Sequence, residues 1–117
     1  MTFNNFQTNA SRTAFYPRVF SNQGLYYTAL GLAGEAGEVA NKVKKIMRDN
    51  GGKLEEIHKA DLYAELGDVL WYCATLADEL GVNLEDVAIS NINKLADRLK
   101  RDKIKGSGDK RWIKLTH

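Results

Sequence analysis

Apolar residues recur three and four positions apart through most of the chain, and few stretches alternate with the period of two that a strand needs. Phe3, Phe6 and Ala10 set a first short helix over about residues 4–14. Pro17 then marks an extended turn, because the residue before a proline is pushed out of the helical region. Leu25, Ala29, Leu32, Ala36, Val39, Val43 and Ile46 keep the 3.6-residue period over a second helix, with Ser21 or Asn22 placed to cap it. That helix is roughly 25 residues long, about 37 Å at 1.5 Å per residue. "RDNGGK", residues 48–53, stops it, since Asn50 and two glycines suit a left-handed terminus. A third helix runs from about Glu55 to Glu79 and ends at Gly81. Its apolar residues Leu62, Leu66, Val69, Leu70, Cys73, Leu76 and Leu80 spread over more than one face, which makes it the central helix. Asn83, with Asp86 three residues on, opens a fourth helix carrying Leu84, Val87, Ala88, Ile92, Leu95 and Leu99. No repeat or linker divides the chain. The pattern predicts one all-α domain over residues 1–117, a four-helix bundle with an irregular tail over about residues 102–117.

Composition changes this picture little. A chain of 117 residues suits a single domain, and 44 % apolar with 27 % charged residues is ordinary for a folded protein. A net charge of +2 is too small to argue for nucleic acid or a membrane surface. The single cysteine, Cys73, lies in an apolar run and reads as a small buried hydrophobe in a reducing compartment. No segment has the apolar length of a signal peptide or a membrane span. The expectation is a cytoplasmic protein without nucleic-acid or membrane partners.

The charged residues change it more. In "GLAGEAGEVANKVKK", residues 31–45, Glu35, Glu38, Lys42 and Lys45 fall within a sector of roughly 80° on the second helix. Asp61, Glu65, Asp68 and Tyr72 form a narrower stripe on the third. Each long helix thus carries an acidic pair at i, i+3, and a short connection makes the two helices antiparallel neighbours. Four carboxylates brought together repel unless something neutralises them, and a hard divalent cation does so with oxygen ligands. The alternative is a solvated face on which Lys42 and Lys45 pair with the glutamates. Gly31, Gly34, Gly37 and Gly67 lie among these residues, and each costs up to about 1 kcal/mol of helix stability against Ala. Their presence points to a close approach by another backbone or a ligand. Glu55-x-x-His58 matches half of a di-iron bundle signature, but the only other histidine is His117, so a carboxylate-bridged iron site is excluded.

"GLAGEAGEVANKVKK" followed by "AELGDVLWY" resembles the MazG-like nucleoside triphosphate pyrophosphohydrolases, whose signature is ExxE, a spacer, then ExxD. "FQTNASRTAFYP" is similar to that family's first helix, "NINKLADR" to its fourth-helix motif and "GSGDKR" to the tail of short members. The resemblance implies an all-α fold of that superfamily and Mg²⁺-dependent cleavage of a nucleoside or deoxynucleoside triphosphate to the monophosphate and pyrophosphate, Mn²⁺ being able to substitute. It also implies a homodimer or a dimer of dimers. Glu35, Glu38, Glu65 and Asp68 would then be the metal ligands, with Glu38 and Glu35 acting in catalysis. Asn91, Lys94 and Arg98 match the pattern that meets the phosphates, and Tyr72 stands where related enzymes place a ring against the base.

Around these, Lys42 and Lys45 are candidates for phosphate contact, as are Lys110 and Arg111 in the tail, where "GSGDK" offers backbone amides. Gln7 and Thr13 are candidates for reaching the base. Tyr26, Tyr27 and Trp71 read as packing or subunit-interface residues, and His58 as a surface residue. The competing readings are a phosphoribosyl-ATP pyrophosphohydrolase, a nucleotide-binding module without turnover, and a helical interaction domain or DNA binder carrying the basic segment "KLADRLKRDKIKGSGDK".

Overall fold

The computed structural model describes residues 1–105, with side chains to residue 102. They form four helices and no strand: α1 (Phe3–Ser11), α2 (Gln23–Asp49), α3 (Glu56–Leu80) and α4 (Leu84–Lys105). The all-helical expectation holds. Lys110, Arg111 and most of the expected tail lie outside the described residues. The chain divides into two compact units, Met1–Leu84 and the segment from Glu85 onward, the second represented by α4.

The helix ends follow local chemistry. Thr2 caps α1 by accepting from the Asn5 backbone N–H, while Asn5 Oδ1 accepts from the Thr2 backbone N–H, each at 3.1 Å. This reciprocal box is closed by a residue outside the expected span, and the helix ends at Ser11 rather than near residue 14. Asn22 precedes α2 in a left-handed conformation and its side chain makes no capping bond, so its expected role is not the one it performs. At the other end of α2, Gly51 and Gly52 carry the positive φ angles of 61° and 77°, while Asn50 remains at −128°. His58 is half-buried, and its Nδ1 accepts from the Glu55 backbone N–H at 3.1 Å. The apparent half of a di-iron signature is a helix-start device. Gly81 ends α3 in the left-handed region, as its position in the sequence implies.

Residues 50–55 join α2 to α3, and the contacts between the helices give an antiparallel register. Lys42 meets Asp61 and Glu65, Glu35 meets Glu65 and Asp68, Gly31 faces Tyr72, and Gly24 faces Glu79. Numbers fall along α2 as they rise along α3. Along the periodic apolar stripe of α2, Ala29, Ala36 and Val43 are exposed, and the fully enclosed α2 residues are Gly24 and Thr28. Thr28 and Thr75 are both completely buried, and each hydroxyl donates to carbonyls one turn earlier in its own helix, Gly24 and Leu25 for one, Trp71 and Tyr72 for the other. No hydroxyl is thereby left unsatisfied at the seam.

The buried apolar cluster lies where α1 meets α3. It contains Ala10, Ala74, Ala77 and Leu84, with Phe6, Trp71 and Cys73 packed against it. Gln7 ties this end together. Its Nε2 donates to Asp78 Oδ1 at 2.7 Å and to the Val82 carbonyl at 2.9 Å, and its Oε1 accepts from the Leu84 N–H at 2.8 Å. One buried amide thus answers a carbonyl just past α3 and a free N–H in the first turn of the next helix.

Candidate active site

Midway along the α2–α3 seam, Glu35, Glu65 and Asp68 each offer a carboxylate oxygen, and these atoms lie within 4.8 Å of one another. Glu35 and Glu65 are half-buried and Asp68 is exposed. Burial lifts the Glu35 carboxyl above the usual carboxylate range, and a hydrogen bond to Glu65 and the charges of Asp68, Glu65 and Glu38 add to it. Glu65 moves the other way, held low chiefly by Lys42. Two adjacent carboxyls pushed apart in this manner behave as one site that wants a positive charge.

The donor set fits a divalent cation. Glu65 Oε2 is buried, and with the carboxyls ionised it has no hydrogen-bond partner. A proton held by Glu35 or a cation would answer it, and hard carboxylate oxygens favour Mg²⁺ or Mn²⁺. Glu38 is exposed and outside the three-way group, although its charge acts on Glu35. Of the four sequence candidates, therefore, the fold brings three together and leaves the fourth one helical turn away.

Lys42 does not pair with the glutamates of its own helix. It reaches across to Asp61 Oδ1 at 2.5 Å and Glu65 Oε1 at 2.9 Å, and these two hydrogen bonds raise its pKa well above the usual lysine value. It is a fixed positive charge at the edge of the acidic group. Lys45 is exposed, and its field is felt by Asp49 instead. Only some of the glycines have the role expected of them. A Cβ at Gly31 would run into the Tyr72 ring, and one at Gly24 into the Glu79 carboxylate, whereas Gly34, Gly37 and Gly67 face open space.

Tyr72 is half-buried in the notch left by Gly31. Burial raises its phenol pKa, followed by a hydrogen bond with Tyr27 and the charges of Glu35 and Asp68, which places the ring beside the acidic group. Trp71 meets it edge-on, with centroids 4.9 Å apart, and donates its Nε1–H to Thr13 Oγ1 at 2.8 Å. Thr13 is thus linked to the aromatic end of the site. Gln7 is committed to the structural bonds described above. It also lines a separate polar groove of about 330 Å³ with Asn4, Thr8, Ser11, Asp78 and Asn83, which none of the acidic residues borders except Asp78 of α3's last turns. Asn91, Lys94 and Arg98 stand at i, i+3 and i+7 along α4, all exposed.

Comparison with known proteins adds a family match. The model of the MazG nucleotide pyrophosphohydrolase domain matches residues 23–101, which contain every carboxylate of the acidic group and the α4 candidates. The chain is 52 % identical over 109 residues to the Gene 37 protein of Mycobacterium phage L5, covering 91 % of this chain and 96 % of that protein. It is 42 % identical over 69 residues to the uncharacterized protein YvdC of Bacillus subtilis (strain 168), covering 55 % of this chain and 65 % of the other. No solved structure matches.

Proposed function

The chain belongs to the MazG nucleotide pyrophosphohydrolase family, and from that premise we propose that it hydrolyses a nucleoside or deoxynucleoside triphosphate to the monophosphate and pyrophosphate in a Mg²⁺-dependent reaction. One observation carries the reading: oxygens of Glu35, Glu65 and Asp68 converge within 4.8 Å, and a buried Glu65 oxygen among these groups has no hydrogen-bond partner when the carboxyls are ionised. A cation held there would neutralise phosphate charge and polarise phosphorus toward water. Glu38, exposed one turn from Glu35, orients the attacking water and accepts its proton. Lys42 keeps its charge because its pKa is raised, and stands ready to meet a phosphate oxygen. The open space over Gly34 and Gly37 leaves room for the triphosphate backbone. The family pattern that they match assigns Asn91, Lys94 and Arg98 to the phosphates, Tyr72 faces the base, and Thr13 borders that end through Trp71.

The reading extends to assembly and place of action. Exposed Leu30, Met47, Tyr63 and Leu66 on α2 and α3 favour a homodimer or a dimer of dimers. No helix among the described residues is long and apolar enough to cross a membrane, and the proposed place of action is the cytoplasm, in the control of nucleotide pools.

The test is direct. The protein is incubated with each common NTP and dNTP, with Mg²⁺ or with EDTA, and the products are separated. Monophosphate and pyrophosphate should appear only with the metal and with a preference among bases. Stepwise release of inorganic phosphate, or no turnover of any triphosphate, would overturn the proposal. Running the reaction in ¹⁸O-water then shows which phosphorus is attacked.

A further inference from the structure

The connection between α1 and α2 has no regular structure, yet it is held to α3 at two points. Thr13 is bonded to Trp71, as described. Farther along, the buried Tyr16 donates its hydroxyl proton to Glu79 Oε1 at 2.7 Å, and Arg18 Nε donates to the same oxygen at 2.8 Å. Arg18 Nη2 also donates to the Tyr16 hydroxyl at 2.9 Å, and its guanidinium lies over the Tyr16 ring, 4.4 Å from the centroid. Glu79 reaches this cluster because α2 has a glycine opposite it: a Cβ at Gly24 would collide with the carboxylate.

From Tyr16 a row of rings leads back to the acidic group. Tyr16 and Tyr27 stack at 5.0 Å and 10°, Tyr27 meets Tyr72 at 6.4 Å and 40°, and Tyr72 adjoins Glu35 and Asp68. Glu79 itself lies eleven residues past Asp68 on α3, about 16 Å along the axis, too far to touch a metal or a reacting phosphate. The Tyr16 phenol is pushed up to about 12, first by burial and then by the Glu79 carboxylate, as expected for a tightly enclosed contact.

We propose that Glu79 is a positioning residue for recognition of the base: by anchoring Tyr16 and Arg18 it fixes the Tyr16–Tyr27–Tyr72 row, and so sets the orientation of the ring against which the nucleobase rests. This rests on the functional reading above. A stacked ring can rotate when its outer neighbour is released, and a wall that rotates binds every base less selectively. Nothing in this arrangement acts on the scissile phosphate, so the effect belongs to binding rather than to the chemical step.

The test compares wild type with Glu79→Ala and Glu79→Gln, the latter keeping an oxygen that Tyr16 and Arg18 can both reach. Three readouts are taken: KM and kcat for the preferred triphosphate and one of a different base, Mn²⁺ affinity by electron paramagnetic resonance, and ¹H–¹³C spectra of ring-labelled tyrosine without nucleotide. Glu79→Ala should raise KM about 10-fold with kcat within about twofold, and shrink the preference between bases about 10-fold. Mn²⁺ affinity should stay within about twofold, the Tyr72 ring resonances should move, and Glu79→Gln should restore KM to within about threefold. A folded Glu79→Ala protein with wild-type KM and base preference overturns the proposal. So does a loss of kcat that merely follows a fall in Tm. If Glu79→Ala fails to fold, Arg18→Ala, at a half-exposed side chain, carries the same measurements. A wild type that cleaves no triphosphate removes the functional reading and the role in base choice together; the ring spectra then decide the coupling alone, and unmoved Tyr72 resonances end it.

Discussion

At Glu35, electrostatics and function meet most closely. Its carboxyl titrates above the ordinary 4.5, so the metal-free fold holds that proton to a higher pH than the unfolded chain does. That contribution to stability is fully present below the unfolded value and is lost as pH rises through the raised one. Metal-free protein should therefore lose Tm relative to Glu35→Gln as pH is raised above 4.5, and Mg²⁺ should remove the difference; thermal melts across pH with EDTA or Mg²⁺ check this. Glu65, held low, works in the opposite window, contributing stability above 4.5 that is lost as pH falls below it. Glu38 is separable from both. Glu38→Ala should abolish turnover, by about 100-fold or more for loss of a general base, while Mn²⁺ binding and the far-ultraviolet spectrum survive. Turnover at the wild-type rate would remove Glu38 from the mechanism. The acidic residues were legible because i, i+3 spacing on two long helices limits where they can point. The partners of Lys42 were not, since a lysine stem reaches across to another helix as easily as along its own.

On the level of elements, the α2–α3 seam separates glycines that are needed for packing from glycines that are not. Alanine is preferred over glycine in a helix by up to about 1 kcal/mol. At Gly31 that gain should be outweighed, because the added methyl meets the Tyr72 ring, and overpacking costs about 1–3 kcal/mol. Gly34→Ala and Gly37→Ala meet nothing and should stabilise the fold, while losing activity if the triphosphate occupies that space. Urea titrations and initial rates on the same three variants distinguish these outcomes. The order of the four helices, and the lengths and stops of α2 and α3, could be read from periodicity and from the glycines after those two helices. Which face of α2 is enclosed could not: the apolar stripe looks like the buried one, whereas Gly24, Thr28, Gly31 and Glu35 line the seam. Contacts across long sequence separations, such as Gln7 to Val82 or Thr13 to Trp71, leave no local signal in the sequence.

At the scale of the whole molecule, few apolar side chains among the described residues are enclosed. Leu30, Ile57 and Tyr63 are 74 %, 73 % and 82 % exposed, and the proposed homo-oligomer would cover them. Light scattering on the purified protein should give a mass of at least two copies of 13.1 kDa, and Tm should rise with protein concentration as linkage requires. A Leu30→Glu variant should shift the mass toward a single copy; a wild-type monomer at micromolar concentration would defeat the expectation. The register of the two long helices carries one more consequence, for how this chain can vary over time. Adding or deleting one residue between Gly31 and Glu35 would turn everything beyond it by about 100°, swinging the α2 carboxylates away from their counterparts while the ring notch stayed behind. Relatives that keep the chemistry should thus vary at the exposed positions of this stretch but keep its length, and any indels they carry should collect in the connections at residues 12–22 and 50–55.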